Sequence, residues 1–77
     1  MRGRIEEIIA PIIKLIDEVG EEWRLEQRPV FYPNMQIHKL IYSNREGQRK
    51  NVRFDWDGNV IGGDYELGDL ILSLSRT

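Results

Sequence analysis

Residues 35–57 read MQIHKLIYSNREGQRKNVRFDWD, and this stretch decides the fold that the sequence predicts. Two runs rich in β-branched and aromatic residues, 35–43 and 49–57, flank the connector 44–47. The connector ends in Gly47, and a hairpin loop commonly needs glycine there for a left-handed backbone. We therefore predict an antiparallel β-hairpin with a four-residue loop.

A four-residue loop fixes which side chains share a face of the hairpin. It pairs Tyr42 with Arg49 and His38 with Arg53. The other face, with Phe54 and Trp56, is mostly apolar and is expected to meet the core, since a one-residue slip would turn these rings to solvent. The predicted binding residues on the outward face are His38, Leu40, Tyr42, Arg49 and Arg53.

Turn and proline signals extend the prediction on both sides of the hairpin. The dipeptide Asp57-Gly58 favours a tight turn into a third strand at 59–61. Pro29 and Pro33 bracket residues 30–32, which fit a short edge strand because proline is poorly tolerated in central strands. The leucine spacing in residues 64–76 favours a helix capped by Asp64, although the same residues also alternate as in a strand.

Residues 4–27 carry apolar side chains at helical spacings of three and four. The residues of this stripe are Ile5, Ile9, Ile12, Ile16, Val19 and Trp23. Pro11 predicts a kink, and Gly20 is a second weak point at which the helix could end. The predicted fold class is α+β: a single domain, 1–77, built as a two-layer sandwich. Its N-terminal helix precedes an antiparallel meander of three or four strands and a C-terminal helix.

Composition limits the chemistry of the chain. Its 77 residues contain no cysteine and one histidine, which excludes disulfides, thiolate metal sites and multi-histidine sites within one chain. We expect no metal and no cofactor. The lack of cysteine suits the cytoplasm, and no apolar stretch approaches the roughly 20 residues of a membrane span. So small a core favours self-association, for which a homodimer is the expected form.

No residue set for catalysis or calcium binding is complete. The serines do not lie in a glycine-flanked nucleophile turn, and a single histidine makes a serine triad a poor interpretation. Asp55, Asp57 and Asn59 fit part of a calcium loop, but Val60 stands where that loop needs glycine. The sequence therefore predicts a protein that is not an enzyme.

Charge indicates the kind of partner. Residues 28–53 carry six basic and one acidic side chain between two acidic flanks. The first hypothesis is a non-enzymatic interaction module, a regulator, adaptor or inhibitor, that binds a protein through the outward face of the hairpin. The alternative is nucleic-acid binding by the same face, with three further cations at its margin, Lys39, Arg45 and Lys50. A second alternative is a small ribonuclease that uses His38 as acid or base beside Arg53 and Tyr42.

Overall fold

The computed structural model describes residues 4–10 and 13–75. These residues form eight strands and one helix. The elements are β1 (Arg4–Ala10), β2 (Ile13–Ile16), β3 (Glu18–Val19), β4 (Trp23–Leu25), β5 (Val30–Tyr32), β6 (Ile37–Ser43), β7 (Arg49–Asp55), β8 (Val60–Gly63) and α1 (Tyr65–Ser75). No helix in this part of the chain is long and apolar enough to cross a membrane.

The strands make two antiparallel sheets. Strands β1 and β2 pair with each other, and the main sheet has six strands in the order β3-β4-β6-β7-β8. Strand β5 also pairs with β6, next to its N-terminal residues 37–39, while β4 pairs with residues 42–43. The hairpin β6–β7 is therefore the centre of the sheet.

The core lies on one face of the central hairpin, beneath α1. Leu40 and Tyr42 of β6 and Val52 and Phe54 of β7 are all 0% exposed. The same cluster includes apolar residues of β2, β3 and α1, namely Ile13, Leu15, Ile16, Val19, Leu67 and Ile71. Each such side chain stabilises the fold by roughly 1.5–3 kcal/mol through burial, so this face of the sheet is unavailable to a partner.

The predicted N-terminal helix is wrong, because the described residues from Arg4 to Leu25 form the four strands β1–β4 and no helix. β-Branched isoleucine favours strands, and the segment also carries strand alternation, with Ile13 and Leu15 both buried. Gly20 has φ +63° in the turn between β3 and β4, so its backbone departs from a right-handed helix. The predicted kink at Pro11 and the stripe residue Ile12 lie outside the described residues.

The hairpin is present, but its predicted register is wrong by one residue. The loop has five residues, 44–48, because Asn44 organises it: its Oδ1 accepts hydrogen bonds from the backbone N–H groups of Glu46 and Gln48. Gly47 supplies the left-handed residue, with φ +82°. Consequently Tyr42 lies opposite Lys50, and Arg53 lies opposite Lys39.

The C-terminal helix is confirmed, whereas the predicted meander of three or four strands has too few strands: the main sheet has six. Asp64 caps α1 as predicted, since the Leu67 N–H donates to Asp64 Oδ1 at 2.8 Å. The short strand at 30–32 is also present as β5, and the third strand occupies Val60–Gly63. The observed fold is one C-terminal helix packed on a mostly antiparallel sheet, in place of the predicted two-helix sandwich.

Candidate functional site

On the face of the sheet opposite α1, the described side chains of β5, β6 and β7 are exposed or half-buried. In β6 and β7 the odd-numbered residues point away from the core, because the even-numbered Leu40, Tyr42, Val52 and Phe54 are buried. Val30 and Tyr32 of β5 pair with Lys39 and Ile37 and share their side. We call this surface the outer face, and define it by Val30, Tyr32, Ile37, Lys39, Ile41, Asn51 and Arg53.

Two cationic residues occupy paired positions of β6 and β7 at the centre of the outer face. Lys39 and Arg53 are a cross-strand pair, and side chains in such pairs are about 5 Å apart at Cβ. Neither forms an ion pair with any described residue. The neighbouring cations do have carboxylate partners, through the pairs Arg24–Glu18, Arg49–Glu26 and Lys50–Asp64. Lys39 and Arg53 are thus cations whose charge the described chain leaves uncompensated.

The guanidinium of Arg53 packs against Gly62. Gly62 of β8 pairs with Arg53, and a Cβ at position 62 would lie 2.7 Å from Arg53 Cζ and 2.5 Å from Nε. The guanidinium therefore occupies the space that a side chain at position 62 would fill. Gly62 is buried although it lies on an open face, and this packing holds the guanidinium against the sheet.

Carboxylates border the outer face at both ends of β6. The Glu26 N–H donates to the Ile41 carbonyl at 2.8 Å, and the Glu26 side chain pairs with Arg49 at 2.8 Å. At the other end Asp55 lies opposite Ile37. Its Oδ1 accepts hydrogen bonds from the backbone N–H groups of Asp57 and Asn59, and these bonds lower the pKa of Asp55. Both carboxylates are occupied locally and do not neutralise the central cations.

A second exposed group, the aromatic cluster of Phe31, His38 and Trp56, lies on the core side of the sheet. The ring centroids of Phe31 and His38 are 4.8 Å apart, and those of Phe31 and Trp56 are 5.5 Å apart. Phe31 and Trp56 remain 41% and 46% exposed. Burial lowers the pKa of His38, and its Nε2 has no hydrogen-bond partner among the described residues. The cluster is therefore an uncharged, half-exposed apolar surface at neutral pH.

A third feature is a groove between α1 and the β3–β4 turn. It has a volume of about 900 Å³. Its lining residues are Val19, Gly20, Glu21, Glu22, Trp23, Leu70, Ser73 and Leu74. Its lining combines apolar side chains with two glutamates, and nothing among the described residues identifies an occupant.

The five residues predicted to form one binding surface do not share a face. Leu40 and Tyr42 are core residues with 0% exposure, and His38 belongs to the aromatic cluster. Only Arg49 and Arg53 point outward. The Tyr42 hydroxyl donates to the Ile16 carbonyl at 2.5 Å, so its polar atom serves the fold. The cause is the loop of five residues, which moves every even-numbered residue of β6 to the covered side.

The arrangement imagined for a ribonuclease is absent as well. Arg53 lies on the opposite side of the sheet from His38, and the ring neighbours of His38 are Phe31 and Trp56. In the described part of the chain, no three histidine, aspartate or glutamate side chains gather where they could hold a metal ion. The outer face therefore presents charged groups and apolar contact area.

The sequence reasoning missed Lys39 as a central residue, together with Val30, Tyr32, Ile37 and Ile41 beside it. The available signal was Asn44, whose side chain can organise a longer loop. Apolar residues occupy both faces of β6, at Ile37 and Ile41 and at Leu40 and Tyr42, so hydrophobic pattern alone did not select between the registers.

Comparison with protein-family models, with curated proteins and with solved structures finds no match to this chain. The function is accordingly argued from the geometry and charge of the outer face.

Proposed function

We propose that this chain is a small non-enzymatic protein-interaction module, a regulator, adaptor or inhibitor, that binds another protein through its outer face. The observation that carries the proposal is the cross-strand pair Lys39 and Arg53, which has no carboxylate partner among the described residues. Two uncompensated cations on neighbouring strands give this surface a positive potential. A partner that compensates them gains energy that the chain alone does not supply.

Apolar neighbours make the outer face suitable for a protein. Ile37 and Ile41 flank Lys39 along β6, and Val30 and Tyr32 are 36% and 37% exposed beside them. Aromatic residues and arginine are enriched at protein interfaces, and tyrosine and arginine often provide much of the affinity. The mixture supports a protein partner that buries side chains and neutralises two cations.

Binding is expected on the face of the sheet and not along its edge. Strand β5 pairs only with β6 among the described strands, so its other edge is open. However, β5 has three residues between Pro29 and Pro33, and prolines at both ends block the addition of a long strand. The partner therefore contacts the side chains of β5, β6 and β7.

Nucleic-acid binding is the second candidate function. Tyr32, Lys39 and Arg53 on one face are residues that stack bases and contact phosphates. Against this, Glu26 and Asp55 border the same face, and a long phosphate chain that crosses it would meet both. The formal net charge of −2 also disfavours affinity driven by phosphates.

We further propose the cytoplasm as the place of function. The support is compositional, because a chain of 77 residues without cysteine needs no oxidising compartment for its folding.

The test is to find where selected binders contact the protein. A random-peptide display library is selected on the immobilised protein, and the peptides are titrated into isotope-labelled protein for chemical-shift mapping. We expect the largest shifts in β5, β6 and β7 on the outer face. Shifts centred on α1 or on the β3–β4 turn, or a library that yields no binder, would contradict the proposal.

Charge reversal provides the matched comparison. Arg53→Glu is expected to abolish binding of these peptides, while Arg45→Glu makes the same charge change at another exposed arginine, in the 44–48 loop, and is expected to retain it. Equal loss in both variants would indicate a general effect of net charge, and no loss in Arg53→Glu would remove Arg53 from the surface.

A further inference from the structure

We infer that the partner presents a short acidic segment whose carboxylates contact Lys39 on β6 and the Arg53 guanidinium, which lies over Gly62 of β8, with apolar residues on either side of the acidic segment. This inference rests on the proposed function and names the chemistry of the partner. Its basis is charge complementarity: the outer face holds two uncompensated cations at its centre, and the carboxylates nearest along β6 are occupied at its ends.

The spacing of charges limits the length of the acidic segment. Along β6 the apolar Ile37 and Ile41 flank Lys39, and they lie next to Asp55 and Glu26 respectively. With about 3.3 Å per strand residue, the cationic window from residue 37 to residue 41 is about 13 Å long. One or two carboxylates fit inside that window, whereas a longer polyanion meets the bordering carboxylates.

Gly62 is the specificity-determining feature of the proposed site. Because position 62 has no side chain, the Arg53 guanidinium lies across β8 in a defined position. A guanidinium held in this way offers two parallel N–H groups to a carboxylate, and such bidentate pairs are stronger and more directional than a lysine contact. The glycine thus orders the group that recognises the carboxylate.

Arg53 also differs from the neighbouring cations of the chain in its ion pairing. Arg49 and Lys50 are held by Glu26 and Asp64 at 2.8 and 3.1 Å, so a ligand would have to displace an internal carboxylate to reach them. Arg53 and Lys39 require no such displacement. An incoming carboxylate therefore binds at this pair in preference to the flanking positions.

The experiment sequences the peptides selected by display and measures their affinities by isothermal titration. We expect enrichment of aspartate or glutamate flanked by apolar residues among peptides that map to the outer face. Arg53→Lys keeps the charge and removes the planar fork, and it is expected to weaken binding about tenfold. Lys39→Gln is expected to weaken it to a similar extent, and Arg45→Gln should leave the affinity unchanged.

Gly62→Ala tests the seat of Arg53 without removing any charge. Gly62 does not have a positive φ, so alanine is tolerated by the backbone, and the added Cβ forces the guanidinium to move. We expect about a tenfold loss of affinity with an unchanged circular dichroism spectrum. If this variant does not fold, Arg53→Lys still tests whether the guanidinium itself is required.

The outcomes separate this inference from the proposed function. Two results would refute the acidic segment but not the proposed interaction module. In the first, peptides map to the outer face without enrichment of acidic residues. In the second, peptides bind Arg53→Lys as tightly as the unmodified chain. Peptides that map elsewhere overturn both. Tighter binding of an oligothymidine strand or of a second copy of the chain at the same face, lost in Arg53→Glu, also overturns it.

Discussion

Tyr42 shows how one buried side chain joins two parts of the fold. It is 0% exposed in β6, and its hydroxyl donates to the carbonyl of Ile16 at the end of β2. The contact spans 26 positions of sequence. It links the central hairpin to the N-terminal strands, which makes Tyr42 a structural residue and accounts for its absence from the outer face.

Tyr42→Phe is expected to lower the free energy of unfolding by about 1–2 kcal/mol, because it removes a buried hydrogen bond and leaves the ring in place. The measurement is urea denaturation followed by circular dichroism. Tyr65→Phe is the control, since Tyr65 is 57% exposed and should change little. Equal effects of the two substitutions would contradict a structural role for the Tyr42 hydroxyl.

Alkaline pH should act through the same residue. Burial, and secondarily the Asp17 carboxylate, raises the pKa of Tyr42 above its usual value. A raised pKa in the folded state means that the stability is complete below about pH 10 and falls as the pH rises beyond it. Tyr42→Phe should therefore show a shallower alkaline loss than the unmodified chain, and parallel curves would refute this coupling.

Asp64 combines a helix cap with an ion pair, and two substitutions separate them. The N–H of Leu67, followed by Lys50, lowers the pKa of Asp64, so its contribution is present above about pH 4 and is lost on acidification. Asp64→Ala is expected to cost about 1 kcal/mol through loss of the cap. Asp64→Asn keeps a capping oxygen and should cost less. Thermal melts at neutral and acidic pH measure the stability of both variants. Equal losses of stability in Asp64→Ala and Asp64→Asn would mean that Asp64 acts through its ion pair with Lys50 and not through the cap.

At the scale of elements, the hairpin explains which predictions succeeded. Gly47 and the prolines around residues 30–32 encode local geometry, so the strands β5, β6 and β7 were predictable from the sequence. The register was not, because it depends on whether Gln48 belongs to the loop, and hydrogen bonds to Asn44 decide that. The predicted binding surface was wrong for the same reason, because it was built on a register displaced by one residue.

The helix predicted for residues 4–27 was wrong for a different physical reason. Its isoleucines occur both at helical and at alternating spacings, and tertiary packing selects between them. Ile13, Leu15 and Ile16 pack under α1 and beside Tyr42, a contact that involves residues far away in sequence. The local sequence pattern alone could not select a strand over a helix for this segment.

Adjacent aliphatic residues of β6 test the assignment of faces. Leu40→Ala is expected to lower the free energy of unfolding by about 3 kcal/mol, because Leu40 is 0% exposed in the core. Ile41 lies on the outer face and is half-buried, so Ile41→Ala should cost about 1 kcal/mol or less. Urea denaturation measures both, and a larger cost at Ile41 would reverse the two faces.

At the scale of the whole molecule, self-association stays a prediction. A chain of 77 residues without disulfides has little core, and the aromatic cluster is an uncharged surface on which two copies can meet without charge repulsion. The outer face is unsuited to this role, because it would bring Lys39 and Arg53 against their own copies. We therefore expect self-association at the aromatic cluster and partner binding at the outer face.

Light scattering after size-exclusion chromatography tests the dimer. We expect twice the mass of one chain, and expect Trp56→Ala to shift the equilibrium toward a single chain. Tyr65→Ala, at an exposed aromatic residue of α1, should not. A single-chain mass at every concentration would exclude the predicted homodimer and leave the outer face unaffected.

The most direct measurement of the central claim is the set of cross-strand nuclear Overhauser effects between β6 and β7 in isotope-labelled protein. With Lys39 and Arg53 facing each other on the open side, contacts should connect Lys39 with Arg53 and Leu40 with Val52. Contacts that instead connect His38 with Arg53 and Tyr42 with Arg49 would mean a four-residue loop, and would place the cation pair on opposite sides of the sheet.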